Sequence, residues 1–289
     1  MTMLPTLSLV MPKGLEWLYE VKYDGYRAKL YLQHGKIKLI SRNGVLLNDN
    51  FIEIIKYCKQ FFIQTDVVLD GEVVVLDSPF KANFFKLKNR KQLPCVVQYL
   101  AFDILKIKQV SLISRPYLVR KKLLQDWFSQ CKLAPILQFV AATSDGDSLW
   151  QKVAQHDGEG IVAKKKTSIW KAKRTTEWLK IKHWKYDSFF ITGYSTKTGL
   201  LYLAAVEQGK IRPMGTVLHG FSPKERETLL AVLNKHQIKQ DKDRIDVKSG
   251  ICLEVRYLEL YKGKLRQPSF VRFRFDLSAE DCQLPKGRT

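Results

Sequence analysis

The chain has 289 residues, 45% of them hydrophobic, with 49 Lys and Arg against 28 Asp and Glu, a formal net charge of +21 and a pI near 9.7. That length accommodates two domains of ordinary size, and the apolar share excludes a globally disordered chain. A basic surplus this large favours a polyanionic partner, because neutralising phosphates releases condensed counterions; a lysine-rich soluble surface is the bland alternative.

No apolar run reaches transmembrane length, so no membrane role is expected. The first twelve residues lack the positive n-region and cleavage site of a secretory signal, and a cytoplasmic monomer is expected. Five scattered cysteines, odd in number and without a C-x-x-C pair, indicate neither a zinc site nor a disulfide framework.

In chain order, residues 18–21 read as a strand leading to Asp24-Gly25. Residues 28–33 and 36–40 flank His34-Gly35 as a hairpin. Asn48, Asp49 and Asn50 read as caps of a helix in which Phe51, Ile54, Ile55, Cys58, Phe61 and Phe62 recur at helical spacing. Residues 67–76 and 96–105 are β-branched and apolar, as in buried strands. Pro116 opens a helix carrying Leu123, Leu124, Trp127 and Phe128, and Asp147 caps another with Leu149, Trp150 and Val153. Gly158 and Gly160 break that helix before a strand at 161–164. Beyond about residue 186 the pattern turns to strands at 188–194, 200–207, 251–260 and 269–275, with one helical insert at 223–236. An α+β domain over 1–185 followed by a small barrel of the OB type over 186–289 is expected.

The chemistry concentrates in short motifs. Lys22-Tyr23-Asp24-Gly25-Tyr26-Arg27 has the form K-x-D-G-x-R, which arises by chance in roughly one chain of this length in several hundred. Alone it also reads as a polar turn after a strand. Behind it stand Ser41-Arg42-Asn43-Gly44, Leu69-Asp70-Gly71-Glu72, Ala101-Phe102-Asp103, Glu159-Gly160-Ile161-Val162-Ala163-Lys164, Trp178-Leu179-Lys180-Ile181-Lys182 and Arg266-Gln267-Pro268-Ser269-Phe270, then Arg274 and Asp276. This ordered series resembles the covalent nucleotidyltransferase superfamily of ATP-dependent DNA ligases, RNA ligases and mRNA capping enzymes. It is most similar to the ligase modules of bacterial end-joining ligases.

The resemblance implies an adenylation domain of antiparallel sheets with helices, then an OB-fold. It implies ATP and Mg²⁺ as cofactors, nicked double-stranded DNA as the partner, and Ku-type end-joining proteins as further partners. Lys22 is then the nucleophile. An amine attacks phosphorus only when deprotonated, and nearby cations such as Arg27, Lys180 and Lys182 are expected to lower its pKa. Lys180 and Lys182 alternate on one strand face, from which both can meet the α-phosphate; a charged strand edge is the ordinary reading of such a pair. By resemblance, Glu72 contacts ribose or metal and Glu159 helps hold the metal. Phe102 stacks on adenine, where a core phenylalanine is the default. Glu20 accepts from the adenine 6-amino group, Arg27 belongs to the ATP site, and Arg42 meets the nick 5′-phosphate. Arg274 and Asp276 clamp the pyrophosphate. The chain departs from the family pattern at Leu277, where a basic residue is common, and Arg272 lies on the wrong side of Asp276 to replace it. An RNA ligase and a capping guanylyltransferase are the rival activities, and a basic DNA-binding module with a decayed site is the rival of another class. Only 21 residues precede Lys22, which favours ATP over NAD as donor.

Overall fold

The computed structural model describes residues 2–131, 135–248 and 250–284. The chain divides into two compact units, Met1–His183 and Trp184–Thr289.

The first unit is built on two sheets. One orders its strands Leu4–Ser8, Arg174–Lys182, Gly160–Lys165, Trp17–Val21 and Ala142–Thr143. The other runs Lys36–Ser41, Tyr26–Gln33, Val67–Ser78, Val97–Ile107 and Val110–Ser111, with Lys81–Ala82 and Leu137–Phe139 attached to it. Period-two burial selects the face each strand turns inward: Ala28, Leu30 and Leu32 are fully buried, and the residues between them are not. His34 and Gly35 both take positive φ, so the expected hairpin forms with its tight turn there.

Helix α1, Ile52–Phe62, packs Ile54, Ile55, Cys58 and Phe62 into the core of this second sheet, while Phe61 stays half exposed. Its N-cap is Phe51, with no side-chain cap, so the expected caps at Asn48, Asp49 and Asn50 do not form. Asn48 is engaged elsewhere: it accepts from Leu39 N at 2.8 Å and donates to Ile37 O at 2.9 Å, tying the loop to a strand edge. Helix α2, Phe84–Lys88, is capped by Asn83. Helix α3, Tyr117–Ser129, starts directly after Pro116 and buries Leu124 and Phe128. Helix α4, Gly146–Gln155, is capped by Asp145, which accepts from Ser148 N at 2.9 Å, and not by Asp147. A cap must precede the free N–H groups of the first turn. Asp147 lies inside that turn, where its charge suits the helix dipole and pairs with Lys13.

In the second unit, the strand Lys185–Ser195 pairs with Cys252–Tyr257 along its first half, and with Leu201–Glu207 and Arg244–Val247 along its second. Serving three neighbours from one long strand curls the sheet around the core of Phe189, Ile191, Leu203, Val255 and Tyr257. Helix α5, Pro223–Lys235, covers that core with Leu229 and Leu233 and opens on a capping box of Ser222 and Glu225. Four strands described here have no counterpart in the sequence reading: Lys210–Val217, Gln237–Asp241, Arg244–Val247 and Lys264–Leu265. Among the described residues no helix is long and apolar enough to cross a membrane.

Candidate active site

A cleft of about 210 Å³ in the first unit is lined by Glu20, Lys22, Arg27, Arg42, Glu72, Phe102, Lys164, Arg174, Trp178 and Lys180, among others. Seven of the site residues proposed from sequence, Glu20, Lys22, Arg27, Arg42, Glu72, Phe102 and Lys180, therefore line one space. Lys182 and Glu159 lie just beside it, through contacts with Lys22 or with each other.

Strand pairing explains the convergence. Gly160–Lys165 lies between Trp17–Val21 and Arg174–Lys182, with Ile161 opposite Val21 and Gly160 opposite Lys182. Lys22 N continues this ladder to Gly160 O at 2.9 Å. Three strand ends thus deliver Lys22, Glu159 and Lys182 to one point. Gly160 has φ +144°, and a Cβ there would sit 2.1 Å from Ile181 O, so the close approach requires glycine. Gly25 is fixed likewise: a Cβ would meet Val73 O at 2.1 Å, which keeps the turn after Lys22 pressed against the second sheet. That sheet supplies Arg27 opposite Glu72 in register.

Lys22 Nζ lies 2.5 Å from Glu159 Oε2. Burial pulls its pKa down, but Glu159, with Glu72 and Asp24 behind it, outweighs burial and holds it above the ordinary lysine value. This corrects the expected electrostatics, in which neighbouring cations lower the pKa of Lys22. The sequence places cations nearby, but the nearest charge is a carboxylate 137 residues away. The lowering falls on its neighbours instead. Burial, aided by Lys22 and Lys180 and opposed by Glu159, brings Lys182 down to about 8, and Lys180 is lowered by burial and by Lys22 and Arg174. Lys182 Nζ is 3.9 Å from Glu159 Oε1. Burial pushes the Glu72 carboxyl up to about 8 against Lys22 and Arg27, with Glu159 and Asp24 adding to the rise.

Arg27 is pinned more firmly than its motif suggests. It forks onto the fully buried Asp70 at 3.1 and 2.8 Å and donates to Met3 O at 2.6 Å. Three of its five N–H groups are used, which leaves two for a ligand. Its guanidinium lies 5.0 Å from the Phe102 ring centroid. Phe102 is only partly buried and meets Trp178 edge-on at 6.4 Å. Arg42 is exposed at the rim.

At the opposite end of the cleft Glu20 meets Lys164, Tyr117 and Lys121, to which no role was given from sequence. Glu20 is buried, with Lys164 Nζ 2.5 Å from its Oε2, and Tyr117 and Lys121 on its Oε1. Burial disfavours the carboxylate, yet Lys121 and Lys164 together hold its pKa below the usual range. The Lys164 ammonium sits 4.3 Å from the Trp178 ring centroid and 4.5 Å from that of Phe102. Val162 is opposite Glu20, so Lys164 is the diagonal same-face neighbour of Glu20, a relation readable from register. Tyr117 and Lys121 carry no such signal.

The cleft can hold a cation only in a particular way. Among the described residues no group of three or more metal-capable side chains converges. Glu72 and Glu159 offer two carboxylates beside a space for ligand oxygens, and Mg²⁺ suits such a set because it keeps water and phosphate oxygens in its shell. Two carboxylates without a third side-chain donor among the described residues fit an ion that takes the rest of its shell from water and phosphate oxygens.

Arg274 and Asp276 belong to the second unit. Arg274 forks onto Asp276 at 2.8 and 2.7 Å and donates to Ser188 Oγ at 3.1 Å. Leu277 packs with the cluster of Phe190, Ala204, Cys252 and Cys282, so the position that departs from the family pattern serves as an apolar anchor for the turn. Arg272 is engaged by Glu254 at 2.8 Å.

The family model described as "ATP dependent DNA ligase domain" matches residues 6–182, and that described as "ATP dependent DNA ligase C terminal region" matches 195–277. The chain is 34% identical over 307 residues to the bifunctional non-homologous end joining protein LigD of Bacillus subtilis, covering 97% of this chain and 50% of that protein. It is 30% identical to the multifunctional LigD of Mycobacterium bovis, covering 91% of this chain and 37% of that one. The chain thus spans half or less of the length of these relatives. Among solved structures, the ligase domain of LigD from M. tuberculosis matches with a TM-score of 0.61 and 28% identity, over 98% of both chains. A mycobacterial DNA ligase D complexed with ATP and MES matches with a TM-score of 0.61 and 28% identity, over 97% of both. The α+β architecture expected from sequence, an adenylation domain followed by an OB-fold region, is the fold of this chain.

Proposed function

Because the chain belongs to the ATP-dependent DNA ligase family, we propose that it seals 5′-phosphate/3′-hydroxyl nicks in double-stranded DNA through a lysyl-AMP formed at Lys22. The observation that carries this reading is the convergence of three strand ends on Lys22, Glu159 and Lys182 at the edge of one cleft. We assign the adenylation domain to 1–185 and the OB-fold to 186–289.

Three displacements at phosphorus make up the reaction. The Lys22 amine attacks the α-phosphorus of ATP, a P–N bond forms and pyrophosphate leaves. A 5′-phosphate oxygen of the nick then attacks that phosphorus and the P–N bond breaks. The 3′-hydroxyl finally attacks the 5′-phosphorus, a phosphodiester forms and AMP leaves. Lys22 enters the first step only after giving up the proton that Glu159 holds in place. Lys180 and Lys182 face charge that builds on the phosphate oxygens, as fixed cations in a partly dry site. Glu20 accepts from the adenine 6-amino group, Phe102 packs on the base, and Arg27 donates its two remaining N–H groups to ATP. Glu72 and Glu159 would hold Mg²⁺, which would supply charge compensation at the phosphates when bound. Arg42 binds the nick 5′-phosphate, and Arg274 and Asp276 serve the pyrophosphate.

End joining as the pathway is supported by the names of the relatives, and a Ku-type partner and a monomeric state complete the proposal. The decisive assay offers the purified chain a nicked DNA duplex with ATP or with NAD, and a nicked RNA duplex with ATP. Sealing of DNA with ATP alone is expected. Sealing only with NAD, only of RNA, or labelling by GTP in place of ATP overturns the reading.

A further inference from the structure

The carboxylate of Glu20 is held by a helix far from it in sequence. Tyr117 and Lys121 lie one turn apart on α3, and both donate to Glu20 Oε1. Tyr117 is fully buried and Lys121 nearly so. The Lys121 ammonium also donates to Val140 O and, at 3.4 Å, to Phe102 O, so its three N–H groups bind three acceptors of the cleft wall.

The rotation of α3 is itself fixed. Arg120, between the two, forks onto Asp103 with both distances at 2.8 Å and both side chains fully buried. Arg120 Nη1 also donates to Ser168 O at 3.2 Å. Asp103 follows Phe102 on the strand that lines the cleft. One ion pair thus sets the helix against that strand, and the helix sets Glu20 and the Phe102 carbonyl.

Two donors on Oε1 leave Oε2 as the oxygen with acceptor capacity, beside Lys164 and on the cleft that Glu20 lines. We propose that Tyr117 and Lys121 are specificity-determining positioning residues, which hold the Glu20 carboxylate in the one orientation that accepts from a purine 6-amino group and rejects a 6-oxo group. This rests on the reading of Glu20 as the adenine acceptor. A fixed acceptor faces a lone pair when the 6-position is a carbonyl, and the mismatch cannot be relieved by turning the carboxylate away. A carboxylate freed from α3 can turn, and the preference falls.

The test uses the full chain and the single-turnover rate of nucleotidyl transfer to Lys22 over a range of nucleotide concentrations, with ATP and inosine triphosphate compared in unmodified protein and in Glu20→Gln, Tyr117→Phe and Lys121→Met. Tyr117→Phe removes one oxygen and keeps the ring against Trp178, so it remains informative if Lys121→Met fails to fold. The expected result is a fall of at least about tenfold in the ATP preference for each variant, expressed for Tyr117→Phe and Lys121→Met in the half-saturating nucleotide concentration with the maximal single-turnover rate nearly kept. An unchanged preference in Glu20→Gln overturns the Glu20 reading and the clamp with it. A relaxed preference in Glu20→Gln with an unchanged one in Tyr117→Phe overturns the clamp alone. A parallel loss with both nucleotides, at unchanged preference, marks Tyr117 as merely structural and also overturns the proposal.

Discussion

The two ends of the cleft carry charge in opposite ways. At the Glu20 end, one carboxylate meets two ammonium groups and a phenol, all buried, within hydrogen-bond or ion-pair distance. At the Lys22 end, the pKa values move in opposing directions: Lys22 upward, Glu72 up to about 8, Lys182 down to about 8. The first arrangement pairs its carboxylate within the cleft wall, with Glu20 held below the usual range and Lys164 brought down to about 8, and acts as a fixed template. The second has carboxylates and lysines competing for one another, as expected where a polyanion and a cation are to be added. The contrast assigns recognition to the stiff end and chemistry to the unsettled one.

The sharpest break between the ends comes from removing the nucleophile. Lys22→Ala is expected to reduce covalent labelling by α-labelled ATP to background, while the cooperative unfolding transition persists because Glu159 keeps Lys182 as a neighbour. Retained label on a denaturing gel defeats the assignment.

Asp70→Ala probes the support beneath the Lys22 end. It strands the Arg27 guanidinium in a site where Asp70 is wholly buried, and a cost of about 3–5 kcal/mol is expected in denaturant unfolding. A cost below about 1 kcal/mol means that water reaches the pair and the frame is softer than described.

Lys164 tests the stiff end by pH. Its pKa is brought down to about 8 from 10.5, chiefly by burial. Between those values the unfolded chain holds a proton that the folded chain has released, so the stability linked to this group rises with pH from about 8 to about 10.5, and below 8 the full penalty is present. The unfolding free energy of Lys164→Met is expected to lack that rise, by on the order of a few kcal/mol. Parallel curves for the two proteins contradict the burial argument.

Arg42→Ala gives the smallest expected effect. Arg42 is exposed at the rim, so Lys22 adenylation without DNA is expected to stay at the unmodified rate, while sealing of a pre-adenylated nick slows about tenfold. Equal loss in both steps moves Arg42 into the ATP site.

Much of this was legible in the sequence, for physical reasons. The alternation through Ala28, Leu30 and Leu32 and the spacing of Ile54, Ile55, Cys58 and Phe62 record which side meets the core. The motif glycines record close approaches that a Cβ forbids. Gln237–Asp241 was illegible because all five of its residues are exposed and none marks a buried face. The caps were misread because Asn48 and Asp147 have other partners, which propensity does not see. The charge state of Lys22 and the hold of α3 on Glu20 depend on contacts across 137, 97 and 101 residues, and no local pattern encodes them.

The central claim is that one lysine among 49 basic residues carries the nucleotide. It is tested most directly by incubating the full chain with ATP and Mg²⁺, digesting it without acid so that the P–N bond survives, and locating the adduct by mass spectrometry. The account predicts AMP on Lys22, in the peptide that continues Tyr23-Asp24-Gly25. AMP on Lys164, Lys180 or Lys182, or nick sealing with no adduct at all, contradicts it.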